Sequence, residues 1–166
     1  MASTVLIVCH ANTARSVMAQ LLLERMLAER GVTTVRVRSA GVARHARDGM
    51  IASLDARLAL RERGIHVGEY EVTSTALADH PELLREAALV VTMTAGQRDI
   101  VARFVEAAGR PVLTLRELAG GAGDIADPAA QGEDVFRACC AEIAHCLEAS
   151  IDRLLALVGG NGGRAI

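Results

Sequence analysis

Apolar residues follow two rhythms along this chain. Thr4 to Val8 is a continuous apolar run that reads as a buried strand, and Ala88–Met93 repeats the pattern of a strand covered on both faces. Ser16–Arg30 instead places Met18, Leu22 and Met26 four residues apart, with Leu23 and Leu27 beside them and Gly31 as a stop, which predicts a helix. Thr33–Ser39 alternates Val35 and Val37 with Arg36 and Arg38, as an edge strand with one wet face would. Further helices are predicted over Gly49–Arg63, with Ile51, Leu54 and Leu58 turned inward, over Pro81–Glu86 and over Ala95–Ala107. Pro111–Leu115 reads as a short strand and Gly120–Gly132 as a long loop. The last helix, Glu133–Leu157, carries a stripe of Val135, Cys139, Ile143, Cys146/Leu147, Ile151, Leu154 and Val158.

Alternating strand and helix signals predict an α/β fold: one domain, a four-stranded parallel sheet with helices on both faces. Ligands of such sheets bind beyond the carboxyl ends of the strands. The domain is expected to span residues 1–158, and 159–166, with Gly159-Gly160-Asn161-Gly162-Gly163, to be a flexible tail.

Composition narrows the class. Of 166 residues 51% are hydrophobic, yet no apolar run is long enough to span a membrane. The first residues lack the basic region and cleavage site of a secretory signal, so a soluble, cytoplasmic protein is expected. A net charge of −2 gives no general affinity for nucleic acid or a membrane surface. The four cysteines, Cys9, Cys139, Cys140 and Cys146, match neither a disulfide framework nor paired zinc knuckles. Cys139 and Cys146 read as core residues of the last helix, with Cys140 beside their stripe. No metal or cofactor is implied, and a monomer or weak homodimer is expected.

The candidate chemistry lies in Cys9-His10-Ala11-Asn12-Thr13-Ala14-Arg15-Ser16, between the first strand and the first helix. A tight loop opening into a helix N-terminus aims backbone N–H groups, and the positive end of the helix dipole, at one spot. Phosphate is the natural occupant. Helix N-termini and neighbouring cations favour thiolate over thiol, and Arg15 adds a fork of donors suited to phosphate oxygens. Cys9 is therefore the candidate nucleophile, and His10 to Ser16 the candidate phosphate cradle. Asn12 tolerates the left-handed backbone such a loop needs. Ser16 can cap the helix or donate to the sulfur. Asp127, held extended by Pro128, is the candidate general acid and base.

The same residues carry a likeness. Cys-x5-Arg-Ser between a first strand and first helix resembles the low-molecular-weight protein tyrosine phosphatase family. So do Ser39-Ala40-Gly41, Val90-Val91-Thr92-Met93-Thr94 and Gly123-Asp124-Ile125-Ala126-Asp127-Pro128, and the likeness covers about residues 4 to 156. It implies attack by Cys9, a phosphocysteine intermediate, an Asn12–Ser39 hydrogen bond, and Asp124 as a support of the Asp127 loop.

Three positions depart from the family pattern: Ala11 for a common glycine, Ala14 for a common second cysteine, and Val17 for a proline. Tyrosine-specific members line the cleft with aromatic residues where this chain has Val42-Ala43-Arg44-His45 and Ala129-Ala130, and the whole chain has no Trp, one Tyr and two Phe. Thr13 and Ser39-Ala40-Gly41-Val42 look like the protein arginine phosphatase branch. The expected partner is a phosphorylated protein side chain, phosphoarginine before phosphotyrosine. A small phosphorylated metabolite met by Arg44, His45 and Arg47 is the alternative. Arsenate reduction on the same scaffold would need a cysteine in residues 65–100, which have none, and a non-catalytic phosphoprotein-binding module would not need Cys9, Arg15 and Asp127 together.

Overall fold

Burial alternates along the first strand in a way that explains its unbroken apolar run. In the computed structural model, which describes residues 2–159, Val5, Ile7 and Cys9 of β1 (Ser3–Cys9) enter one core, while Leu6 and Val8 enter another. Both faces of the strand are covered, so neither tolerates a polar residue. Neighbours are β2 (Val35–Gly41) on one side and β3 (Ala87–Thr92) on the other, with β4 (Val112–Thr114) beyond; the order β2-β1-β3-β4 is parallel throughout. The expected edge strand is therefore an edge, but it runs on to Gly41, which pairs with Cys9.

Helices cover both faces. α1 (Arg15–Glu29), α2 (Leu54–Glu62), α5 (Leu115–Leu118) and α6 (Glu133–Gly159) pack over Val5 and Ile7. α3 (Glu82–Glu86) and α4 (Ala95–Ala102) pack over Leu6 and Val8. Two 3-10 turns, Leu77–Asp79 and Val105–Ala107, complete the second layer. Gly31, at φ +69, ends α1 where the sequence places its stop, with the Val32 N–H reaching back to the Leu27 carbonyl.

Several boundaries differ from the sequence reading. α2 starts at Leu54, because the Ser53 hydroxyl caps it by accepting from the Ala56 N–H and Gly49 takes φ +81 upstream. Ile51 and Leu54 are exposed, and the inward face is Ala56, Ala59 and Leu60. The helix expected over 95–107 stops at Ala102. α5 was not anticipated: a reciprocal Thr114–Glu117 capping box starts it directly after β4. On α6 the apolar stripe begins at buried Phe136, and Val135 is exposed. Gly159 closes α6, and the rest of the expected tail lies outside the described residues.

Candidate active site

Residues 9–15 form a ring because their carbonyls are pulled outward. The Val42 N–H bonds the Cys9 carbonyl, the Ala43 N–H that of His10, the Ser53 N–H that of Thr13 and the Met18 N–H that of Ala14. A trans peptide points its N–H opposite its C=O, so the amides of His10, Ala11, Ala14 and Arg15 turn to the inside. Asn12 sits at φ +60, the left-handed turn foreseen for it. Gly41 lies against the ring's back: a Cβ there would stand 2.8 Å from both the Ala11 carbonyl carbon and the His10 oxygen.

The Asn12 side chain holds that turn with three hydrogen bonds. Its Nδ2 donates to the Ser16 hydroxyl at 2.8 Å and to the Ser39 hydroxyl at 2.9 Å, and its Oδ1 accepts from the Thr75 N–H at 2.8 Å. The Ser39 hydroxyl donates a hydrogen bond of its own to Gln20 Oε1. The Cys9 sulfur is 2.9 Å from the Ser16 hydroxyl and accepts from the Asn12 N–H at 3.3 Å. Ser16 is not the helix cap: α1 starts one residue earlier, at Arg15, with Ala14 in the cap position and no side-chain cap bond. The serine hydroxyl faces the sulfur instead.

Arg15 is buried, an unusual fate for a guanidinium. Its Nη1 donates to the Ile125 carbonyl at 2.8 Å, and its Nη2 stands 3.8 Å from Asp127 Oδ2. Asp127 is 53% exposed, and its other oxygen accepts from the Ala129 N–H at 3.0 Å. Asp124 sits apart from the cleft, where it accepts from the Ala95 N–H at the start of α4 and pins the loop.

Cys9, Arg15 and Asp127 line one cleft of about 240 Å³, together with His10, Ala11, Thr13, Ala14 and His45. Arg44 is exposed and does not line it. The rings of His10 and His45 meet edge to face, 4.9 Å apart, at its rim. Ser53, Ala129 and Phe136 also line the cleft. Ala129 stands where the family likeness sets a cleft-lining position; Ser53 and Phe136 are not among the residues the sequence points to, although Phe136 falls in phase with the buried stripe of α6. Gln20 and Thr75 complete the Asn12 network; Gln20 was findable, one turn beyond Ser16 on α1.

The remaining cysteines are free, and burial pushes their thiols up, Cys139 to about 12. Among the described residues no His, Cys, Asp and Glu side chains group to hold a metal ion, and no helix is long and apolar enough to cross a membrane.

Residues 4–158 match the family model described as low molecular weight phosphotyrosine protein phosphatase. The chain is 38% identical over 151 residues to a protein-arginine-phosphatase of Geobacillus stearothermophilus, covering 90% of this chain and 92% of that protein. It superimposes on the YwlE arginine phosphatase structure from that organism with a TM-score of 0.82 and 34% identity, over 99% of each chain. A cysteine-to-serine mutant of YwlE arginine phosphatase with a phosphorylated active-site serine gives a TM-score of 0.78 at 29% identity, over 97% of each chain.

Proposed function

The chain belongs to the low molecular weight phosphotyrosine protein phosphatase family, and on that footing we propose that it hydrolyses phosphoarginine side chains of proteins through a phosphocysteine formed on Cys9. The observation that carries this reading is the convergence on one sulfur of the Asn12 amide, the Ser16 hydroxyl and a ring of inward N–H groups, with Arg15 and Asp127 lining the same cleft.

In this mechanism the Cys9 thiolate attacks phosphorus in line with the bond to the leaving group. Ring amides and Arg15 hold the three equatorial oxygens and meet the charge they gain in the transition state. Asp127 delivers a proton to the departing nitrogen, then accepts one from the water that frees phosphate from sulfur. Its partial exposure lets substrate and water reach it. Asn12 and Ser16 hold the sulfur as well as the ring, while Ser39 and Asp124 position the ring and the acid loop without touching the reacting atoms.

Support for phosphoarginine comes from the rim. Thr13 and Ala129 present small side chains, and the sole Phe, Tyr or Trp lining the cleft among the described residues is buried Phe136. An aryl ring would find only the imidazoles of His10 and His45, which already meet edge to face, whereas a guanidino group needs acceptors such as the Asp127 carboxylate. The named relatives point the same way. Four free cysteines suit a reducing, cytoplasmic setting. Activity measured against a phosphoarginine peptide, a phosphotyrosine peptide and a panel of small phosphomonoesters tests the reading; a higher kcat/KM for any small phosphomonoester than for both peptides would refute it.

A further inference from the structure

A second concavity opens one residue away from the catalytic cleft. Ser53, which lines the cleft, is followed by Leu54, the first residue of a groove shared by α2 and the 66–68 segment. Arg57, Arg61 and His66 line this groove with Leu54, Leu58 and Val67. Two features of it suit a partner that is acidic and partly apolar. Arg57 and Arg61 stand one turn apart on α2, a spacing at which like charges repel, and among the described residues neither has a carboxylate within ion-pair distance. Among the described residues the one hydrogen-bond partner of the Arg57 side chain is the Ala52 carbonyl, at 3.4 Å. Of the acids nearby, Glu62 pairs with Arg137 and Glu71 with the Gly68 N–H at the groove's far end, while Asp55 and Glu69 lie outside ion-pair distance of both arginines. The chain leading into α2 is also apolar at its surface, since Met50, Ile51 and Leu54 are three of the seven large hydrophobic residues left exposed among the described residues.

We propose that this groove docks an acidic, apolar-flanked stretch of the phosphoprotein substrate, on the same chain as the residue being dephosphorylated. The inference rests on the phosphatase reading above and adds a selectivity for flanking sequence. Charge complementarity decides the occupant, because cations without partners beside exposed leucine and methionine match carboxylates interspersed with apolar side chains. At about 1.5 Å per residue Arg57 and Arg61 lie roughly 6 and 12 Å along α2 from Ser53. An extended peptide advances about 3.3 Å per residue, so the acidic positions fall roughly two to four residues from the phosphorylated one.

The test compares phosphoarginine peptides carrying either Asp or Ala at two to four residues on each side, with p-nitrophenyl phosphate as a substrate too small to reach the groove. The acidic peptide is expected to show about a tenfold higher kcat/KM, mostly in KM, equivalent to about 1.4 kcal/mol. R57E/R61E should abolish that preference and leave p-nitrophenyl phosphate hydrolysis unchanged. R61E alone, at an exposed position, should give a smaller loss in the same direction. Equal kcat/KM for the two peptides, or a preference that survives the charge reversal, overturns the proposal. Failure of the unaltered protein to hydrolyse p-nitrophenyl phosphate would strike the phosphatase reading instead. Peptide binding followed by fluorescence anisotropy judges the groove in either case: a groove that binds a single-stranded oligonucleotide and ignores the acidic peptide is not the site proposed.

Discussion

The Ser16 hydroxyl stands 2.9 Å from the Cys9 sulfur, while the same oxygen accepts a hydrogen bond from Asn12 Nδ2 at 2.8 Å. Either atom can donate across this contact, but an attacking thiolate has no proton to give, so in that state the serine hydroxyl is the donor to the sulfur. Hydrogen bonds to charged groups contribute about 1.5–3 kcal/mol. Ser16→Ala is therefore expected to lower kcat by about 10- to 100-fold, with a slower alkylation of Cys9 at neutral pH. Steady-state kinetics and iodoacetamide labelling measure both; an unchanged kcat would remove Ser16 from the account.

Gly41→Ala tests the back wall of the ring. Its new Cβ would meet backbone atoms of His10 and Ala11, which cannot rotate away as a side chain can. Overpacking of this kind costs about 1–3 kcal/mol, and the ring, being the movable party, should lose its shape and its activity. Gly121→Ala is the control, because the nearest atom to its Cβ would be 3.6 Å away. Thermal melts and turnover of the two variants should diverge.

Cysteine labelling should be selective. All four cysteines are buried, but among them only Cys9 lines the cleft. Burial pushes the thiols of Cys139, Cys140 and Cys146 up, Cys139 to about 12, so they stay neutral at mildly alkaline pH. Native protein is expected to take one alkyl group, on the Cys9 peptide, and the other three only after denaturation. Peptide mass spectrometry reads the result.

The Asp48–His80 pair predicts a pH-dependent loop. His80 Nε2 meets Asp48 Oδ2 at 2.7 Å, and the other Asp48 oxygen accepts the Ala76 N–H, next to the Thr75 N–H that holds Asn12. The hydrogen bond to Asp48 raises His80 above its ordinary 6.5, and the same bond lowers Asp48 below 3.8. The histidine's share of stability is complete below 6.5 and fades as pH rises through its raised value. The aspartate's share is complete above 3.8 and fades as pH falls through its lowered value. Amide exchange of Ala76 corrected for intrinsic rate should be slowest between those limits and faster on the alkaline side, and His80→Gln should flatten that alkaline rise.

Much of this was legible in the residues. The β1–loop–α1 unit, the central strand at 87–92 and the left-handed turn at Asn12 follow from local chemistry: an apolar run, a turn-tolerant side chain, a polar loop at a helix start. Boundaries set by tertiary contacts were not legible. Gly49 to Ser53 reads as helix until Ser53 is seen to cap it, and Val135 looks like core until the phase of α6 is set by Phe136. Arg44 illustrates the same gap within the site. Sequence places it beside His45, but the two neighbours part on folding, and only His45 reaches the cleft.

The direct test of the central claim is to trap the phosphorylated intermediate. Asp127→Ala protein mixed with p-nitrophenyl phosphate, whose leaving group needs little protonation, should accumulate a phosphoryl group because the attacking water has lost its base. After a rapid quench, peptide mass spectrometry is predicted to find that group on the Cys9 sulfur, and Cys9→Ser in place of the cysteine should reduce turnover to near background. A phosphoryl group on any other residue, or full turnover by Cys9→Ser, would contradict the account.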